Sequence, residues 1–124
     1  MEPLIIRGKV TKGTSTGKKI DFPTINIPYT GKDLEFGVYA CKVKISSGVY
    51  KGALHFGPRK ILNLDEPILE VHLLNFSGDL YGKEVEVQIF KKIRSTKDFT
   101  DLDSLKKQIA LDVEEVKRLL SMNN

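Results

Sequence analysis

The sequence contains a single cysteine, Cys41, among its 124 residues. One cysteine cannot form an internal disulfide, and it excludes a zinc site built from several thiolates. A lone thiol among small and apolar neighbours is typical of a packed strand residue. These features suit a reducing compartment, so we expect a cytoplasmic protein.

Long apolar runs are also absent. No segment approaches the roughly 18 apolar residues of a membrane-spanning helix. The start of the chain, MEPLIIRGKV, lacks the charged region, apolar region and cleavage site of a secretory leader. With 40% hydrophobic and 29% charged residues, the sequence predicts one globular domain over residues 1–124.

Neither sign of charge forms a block. The net charge of +4 favours an anionic partner, which could be a nucleotide, a nucleic acid or solvent counterions. The lysines are scattered or paired, unlike those of a basic nucleic-acid-binding tail. Charge alone therefore does not identify the partner.

Alternating hydrophobicity predicts a β-rich body over about residues 4–93. VYACKVKI, SSG and VYKGALHF predict a hairpin with Tyr39, Cys41, Val43 and Ile45 on one face. ILEVHLLNF and EVEVQIF predict a second hairpin across SGDLYGK. Short strands at regular spacing are typical of a small closed or nearly closed barrel.

The hydrophobic period changes after Arg94. Apolar residues then recur every three or four positions, which predicts an amphipathic helix over about residues 101–121 that packs on the barrel. Thr100 and Asp103 resemble a capping box at its start. The polar segment KKIRSTKDF between barrel and helix fits either an ordinary connection or a lid.

Polar residues interrupt the apolar segment FPTINIP. Thr24 and Asn26 are two positions apart, so on a strand both side chains leave from one face and Ile25 from the other. An edge strand with a wet face is one interpretation, and it would tolerate Pro23. The other interpretation is that the two neutral side-chain oxygens bind one ligand.

The preceding segment, RGKVTKGTSTGKK, interleaves glycines with hydroxyl side chains. Closely spaced amides and hydroxyls can cradle phosphate oxygens, although a glycine-rich hairpin loop has the same composition. No GK[ST] sequence opens a helix here, so a phosphate site would lie on a barrel loop.

Glu70 lies within the apolar run ILEVHLLNF, on the same strand face as His72. That face is either wet or at the mouth of a barrel, where a carboxylate has a function. The spacing around His72 is not that of a metal site, so we expect a hydrogen-bonded or surface histidine.

Five segments in order resemble the riboflavin kinase (flavokinase) family. They are GKVxxGxxxGK, FPTINI, FGVYA, LEVHLLNFxGDLYGK and IRxxxxFxxLxxLKKQIxxD, which together run from about Arg7 to Leu120. The resemblance implies a mostly β fold, a six-stranded antiparallel Greek-key barrel with a C-terminal α-helix packed on it. It also implies an enzyme that transfers the γ-phosphate of MgATP to the 5′-hydroxyl of riboflavin, giving FMN.

The resemblance further implies roles for individual residues. Thr24 and Asn26 match a family pair whose oxygens contact the nucleotide phosphates and Mg²⁺, with Zn²⁺ or Mn²⁺ as alternative ions. Glu70 matches the catalytic glutamate, which would accept the proton of the attacking hydroxyl. Arg94 and Phe99 match the loop that closes over the flavin. The phosphate-side loop corresponds to Gly8, Lys9, Gly13, Gly17 and Lys18.

The sequence departs from the family pattern in two segments. Lys18 replaces the usual arginine, which keeps the charge but loses the planar fork that binds phosphate in a bidentate manner. HFGPRKI, residues 55–61, stands where the family usually has Asn-Ile-Gly-x-Arg-Pro-Thr. Gly57 and Arg59 are retained there, but no role is assigned to this segment.

Two other functions remain open. A flavin-binding or flavin-sensing barrel would share the fold without turnover, although retention of Thr24, Asn26 and Glu70 argues for catalysis. An oligonucleotide-binding barrel would need exposed aromatics among basic residues, and only Tyr39 and Tyr50 suggest that.

We expect a monomer whose partners are riboflavin, ATP, FMN and ADP, with no nucleic acid and no membrane. Many bacterial relatives carry a further FAD-forming domain, which these residues do not contain, so we expect FMN to be the end product.

Overall fold

A computed structural model describes residues 3–11 and 24–121 of the chain. Its elements are strands and one C-terminal helix, joined in places by short turns such as the 3₁₀ turn between the fourth and fifth strands. In chain order they are β1 (Leu4–Lys9), β2 (Thr24–Ile27), β3 (Gly37–Ile45), β4 (Gly48–Arg59), the turn Lys60–Leu62, β5 (Leu64–Leu73), β6 (Glu84–Arg94) and α1 (Leu102–Ser121).

The six strands form one antiparallel sheet in the order β1-β6-β3-β4-β5-β2. The sheet curls so that its two edge strands meet. The N–H of Thr11 donates to the carbonyl of Asn26 over 2.8 Å, and a Cβ atom at Gly8 would lie only 2.7 Å from Ile27. Glycine at position 8 therefore permits the close approach of the edges that shapes the barrel.

One of the two predicted hairpins is correct. β3 and β4 pair as expected, with Ile45 opposite Gly48 at the turn. The second hairpin is wrong, because β5 pairs with β4 and β2 whereas β6 pairs with β1 and β3. Both strands alternate as a hairpin would, but alternation specifies which face is buried and not which strand lies alongside.

The two faces of the sheet carry separate apolar clusters. The inner cluster contains alternate strand residues, including Cys41, Val71 and Val87, none of which has exposed surface. On the outer face, Ala40 and Ala53 pack in one cluster with apolar residues of α1. These small side chains let the helix approach the sheet closely.

The start of α1 differs from the prediction. Oδ1 of Asp101 accepts a hydrogen bond from the N–H of Ser104 over 2.7 Å, and this bond helps to hold the pKa of Asp101 below its usual value. Asp101 is therefore the N-cap, and the predicted capping box of Thr100 and Asp103 is wrong. Within the part of the chain that the structure describes, no helix is long and apolar enough to cross a membrane.

Candidate active site on the outer wall of the barrel

Strand pairing brings the polar residues of three strands together. In the β2–β5 ladder, Thr24 lies opposite His72 and Asn26 lies opposite Glu70. On the other side of β5, Glu70 lies opposite His55 of β4. Because directly paired residues project from the same face of a sheet, Asn26, Glu70 and His55 form a polar row.

The polar row lies on the helix-bearing face of the sheet. His72 pairs with Ala53, which belongs to the cluster that contacts α1. The row is nevertheless enclosed, because Asn26, His55 and Glu70 expose only 7%, 3% and 0% of their surface. The wet-face interpretation of Asn26 and Glu70 is therefore wrong.

Glu70 is held through one of its two carboxylate oxygens. Nε of Arg59 donates to Oε1 over 3.0 Å, and both side chains are buried. Nε2 of His72 lies 3.8 Å from the same oxygen. The other oxygen, Oε2, has no hydrogen-bond partner among residues 3–11 and 24–121. A buried carboxylate oxygen without a donor is costly, which makes Oε2 the atom best placed to interact with a ligand.

Two neutral oxygen donors stand beside this carboxylate. Oγ1 of Thr24 shares a hydrogen bond of 3.3 Å with Nδ1 of His72. The buried Nδ2 of Asn26 makes no hydrogen bond to any described residue, so this N–H group can donate to a ligand oxygen such as that of a phosphate. Hydroxyl and amide oxygens are ligands that Mg²⁺ accepts, and it completes its shell with water and phosphate. The donor set therefore fits a magnesium nucleotide.

A metal site made of protein ligands alone is not found in the described ranges. They contain no cluster of three or more histidine, cysteine, aspartate or glutamate side chains that could hold a metal ion. His72 was expected to be a hydrogen-bonded or surface histidine; it is buried, and its Nδ1 lies 3.3 Å from Oγ1 of Thr24.

Both histidines of the sequence lie in this region, and both are uncharged at neutral pH. Burial lowers the pKa of His72 to about 4; the charge of Glu70 opposes this shift and that of Arg59 adds to it. Burial, followed by the charge of Arg59, lowers the pKa of His55 to about 2. Arg59 is therefore the cation in contact with the Glu70 carboxylate.

Arg94 of β6 lies on the same face of the sheet as the polar row. Val38 lies opposite both His55 and Arg94, so Arg94 projects from the same face as Glu70. Its Nε and Nη2 donate to the two carboxylate oxygens of Asp112 over 2.9 and 2.8 Å. Gln108 donates to the same carboxylate over 3.1 Å. This network, the Arg94 clasp, joins β6 to α1.

An open cleft of about 380 Å³ runs between β6 and α1 beside the Arg94 clasp. Apolar and polar groups both line it, including Ile93, Leu111, Gln108 and Asp112. Phe99, the other residue predicted to contact flavin, packs instead against the helix cluster, with Nζ of Lys97 5.6 Å from its ring centroid.

The predicted phosphate loop is described only in part. Gly8 approaches β2, as noted above, and the exposed Lys9 lies opposite Glu84 of β6. The other three loop residues lie outside the described residues, as does Pro23. They are Gly13, Gly17 and Lys18.

Arg59 is the residue of this site to which the sequence assigned no role. The sequence contains one indication of its importance: Arg59 matches the family pattern within HFGPRKI, a segment that otherwise departs from it. What the sequence could not indicate is burial, because the contact with Glu70 joins the end of β4 to the middle of β5. His55, which stands at the family's asparagine position, is likewise buried next to Glu70 in the row.

The fold and the site together define a curled antiparallel barrel with an enclosed, carboxylate-centred site on its helix-bearing face. A family model described as riboflavin kinase (flavokinase) matches residues 1–120. The chain belongs to the riboflavin kinase family, as its five sequence segments predicted.

Known proteins of related sequence and structure agree with this assignment. A bifunctional riboflavin kinase/FMN adenylyltransferase of Haemophilus influenzae is 42% identical over 118 residues, 94% of this chain and 38% of that protein. An RNA-binding riboflavin kinase of Bacillus subtilis is 36% identical over 110 residues, 88% of this chain and 48% of that protein. The chain thus spans less than half the length of these relatives.

A solved structure supports the fold prediction. The crystal structure of riboflavin kinase from Trypanosoma brucei matches with a TM-score of 0.65 and 28% identity, over 98% of this chain and 82% of that chain. The predicted fold class, a six-stranded antiparallel barrel with a C-terminal helix, is confirmed.

Proposed function

We propose that this chain is a riboflavin kinase, which transfers the γ-phosphate of ATP to the 5′-hydroxyl of riboflavin and yields FMN and ADP. One observation carries the proposal: the enclosed carboxylate of Glu70 lies on the same face as Thr24 and Asn26, and its Oε2 has no partner within residues 3–11 and 24–121. Membership of the riboflavin kinase family supports it.

Glu70 is the proposed general base. Oε2 would accept the proton of the riboflavin hydroxyl while the hydroxyl oxygen bonds to the γ-phosphorus and the bond from that phosphorus to ADP breaks. A positioned base of this kind is worth roughly 10²- to 10⁴-fold in rate. The remaining acceleration would come from positioning and from compensation of the phosphate charge, as in other phosphoryl transfers.

Access to Glu70 requires movement, because this residue has no exposed surface. The connection between β6 and α1, residues 95–101, is the candidate lid. A Cβ atom at Gly57 would lie 3.1 Å from Thr96, and Nζ of Lys60 lies 4.0 Å from Asp98, so the connection lies over the end of β4. Opening there would admit the hydroxyl, and closure would exclude water.

Thr24 and Asn26 would hold the magnesium nucleotide through their hydroxyl and amide oxygens. When bound, the divalent ion, Mg²⁺ or alternatively Zn²⁺ or Mn²⁺, would neutralise phosphate charge. The two side chains would orient the phosphates on the face that Glu70 shares. Gly8, Lys9 and the rest of the predicted loop would bind the nucleotide phosphates.

The cleft beside the Arg94 clasp is the proposed place for the flavin ring. Its mixture of apolar and hydrogen-bonding groups suits a planar ring with polar edges. Arg94 would contact the ring while sharing its guanidinium with Asp112. Phe99 would reach the ring only after leaving the helix cluster, so its role depends on movement of the candidate lid.

Conversion of riboflavin to FMN by the purified chain with MgATP tests this function directly. We expect Glu70→Gln to retain riboflavin binding and to lower kcat roughly 10²- to 10⁴-fold, because the amide cannot take the proton. Glu66→Gln is the matched control, since Glu66 is exposed on the same strand. A wild-type protein that binds riboflavin but forms no FMN with any nucleoside triphosphate would be a flavin-binding module instead.

We further propose a cytoplasmic monomer without a nucleic-acid partner. Cys41 is buried and burial raises the pKa of its thiol, which suits an unreactive core residue in a reducing compartment. Size-exclusion chromatography checks the monomer. A gel-shift assay with oligoribonucleotides checks the nucleic-acid prediction, and one relative's RNA-binding name makes RNA the polymer to use.

A further inference from the structure

We infer that Arg59 is a positioning residue that fixes the carboxylate of Glu70 for proton transfer; the inference rests on the proposed function. Nε of Arg59 lies 3.0 Å from Oε1 of Glu70, and the two side chains expose 4% and 0% of their surface. The bond is charge-assisted and shielded from water, so it constrains the carboxylate strongly.

The contact leaves the two carboxylate oxygens unequal. Oε1 accepts the hydrogen bond from Arg59, whereas Oε2 has no partner among the described residues. Because the carboxylate is planar, fixing Oε1 determines where Oε2 points. Arg59 therefore selects the oxygen that receives the proton.

The donor atom strengthens this assignment. Arg59 uses Nε, the nitrogen attached directly to its aliphatic chain, so the contact is made by the least mobile part of the guanidinium. A lysine carries the same charge on a freely rotating amine and has no planar group at this place. Charge alone would not reproduce the orientation.

The backbone before Arg59 is shaped for this contact. The ladder between β4 and β5 shifts register between Gly57 and Arg59, so that Arg59 lies opposite Leu64. Gly57 has a φ of +148°, a conformation that favours glycine. If the pairing continued in regular register, Arg59 would lie opposite Glu66. The register shift prevents this, and the guanidinium of Arg59 contacts Glu70 instead.

Stability alone does not account for the pair. A buried ion pair gains little or nothing over apolar side chains of similar volume, because both charges lose their hydration. An enclosed base with one open oxygen, in contrast, needs a group that holds it in place. The arrangement is that expected of a site organised for catalysis.

A double-mutant cycle tests the inference with wild type, Arg59→Met, Glu70→Gln and the double variant. We expect Arg59→Met to lower kcat roughly 10- to 100-fold while KM for riboflavin and MgATP changes less than about threefold. In the Glu70→Gln background the same change should alter kcat less than about threefold, because Arg59 acts through Glu70.

Two further variants make the cycle specific. Arg7→Met is the matched control, since Nε of Arg7 also donates to a glutamate, Glu86, over 3.1 Å, but on an exposed surface; it should keep wild-type kcat. Arg59→Lys restores the charge without Nε and should recover only part of kcat. If thermal unfolding shows that Arg59→Met does not fold, the cycle uses Arg59→Lys.

The outcomes separate the inference from the proposed function. The inference is overturned if folded Arg59 variants keep the wild-type kcat, or if Arg59→Met lowers kcat by the same factor with Glu70 and with Gln at position 70. In either case FMN formation by the wild type still supports the kinase proposal. Failure of folded wild type to form FMN overturns the kinase proposal and the inference with it.

Discussion

At the scale of single residues, the site consists of polar groups that the fold has removed from water. Asn26, His55 and Glu70 are buried side by side, and each such group costs free energy unless it is paired. Arg59 compensates the one carboxylate among them. Three of their atoms, Oε2 of Glu70, Nδ2 of Asn26 and Nδ1 of His55, have no hydrogen-bond partner among the described residues, so a ligand that pairs with them would lower this cost.

Gly57→Ala should destabilise the protein by about 1–3 kcal/mol, since φ is +148° and the new Cβ would lie 3.1 Å from Thr96. Gly82→Ala is the control: φ is +79° but nothing lies within 4 Å of its Cβ, so only the backbone cost of about 1 kcal/mol applies. Urea denaturation measures both. Equal losses would show that the contact with the candidate lid contributes nothing.

The candidates Glu70, Thr24 and Asn26 could be proposed from the sequence, because the family segments contain them and alternation puts Thr24 and Asn26 on one strand face. Their burial could not. It depends on β2 and β4 flanking β5, and a single strand's pattern contains no information about its neighbours. The contact between Arg59 and Glu70 could not be predicted for the same reason, since the two residues belong to different strands.

At the scale of elements, the Arg94 clasp links the last strand to the helix. Arg94 and Asp112 expose 18% and 5% of their side chains and are joined by two hydrogen bonds. Bidentate pairs in partly buried positions fix geometry more firmly than exposed pairs do. The clasp therefore sets the width of the cleft between β6 and α1.

Asp112→Ala should lower the free energy of unfolding by about 2–4 kcal/mol, because it leaves a partly buried guanidinium without its carboxylate. Glu114→Ala, which removes the exposed pair with Lys117 on the same helix, should cost less than about 1 kcal/mol. Urea denaturation gives both values, and amide hydrogen exchange reports on α1. A loss no larger than that of Glu114→Ala would contradict a stabilising clasp.

The helix and much of β3, β4, β5 and β6 followed from hydrophobic period. The helix predicted over about residues 101–121 spans Leu102–Ser121, because its apolar stripe is long and regular. The partner of β6 was predicted wrongly. A local hairpin between β5 and β6 would have left β1 without the strand it pairs with, and this constraint arises only from the complete sheet.

At the scale of the whole molecule, both histidines of the sequence are buried in a neutral state. Their pKa values in the folded protein, about 4 for His72 and about 2 for His55, are lowered mainly by burial. In the unfolded chain a histidine has a pKa near 6.5. Below that pH the unfolded state binds more protons than the folded state, so acidification favours unfolding.

The free energy of unfolding should therefore fall by roughly 2–4 kcal/mol between pH 7 and pH 5 through these two residues, since each contributes up to about 1.4 kcal/mol per pH unit. His55→Asn, which introduces the residue usual in the family, should remove about half of this dependence. Urea denaturation across the pH series measures the slope. An unchanged slope in the variant would contradict a neutral buried His55.

The strand order has a consequence for how the chain is made. Among the strands described, β1 has its ladder with β6 and β2 has its ladder with β5. β1 therefore leaves the ribosome well before its partner strand, and its ladder cannot be completed until Ile89 has been translated. Sheets with such distant partners fold on the millisecond-to-second scale, so the nascent polypeptide carries an unpaired β1 while the residues between β1 and β6 are being made.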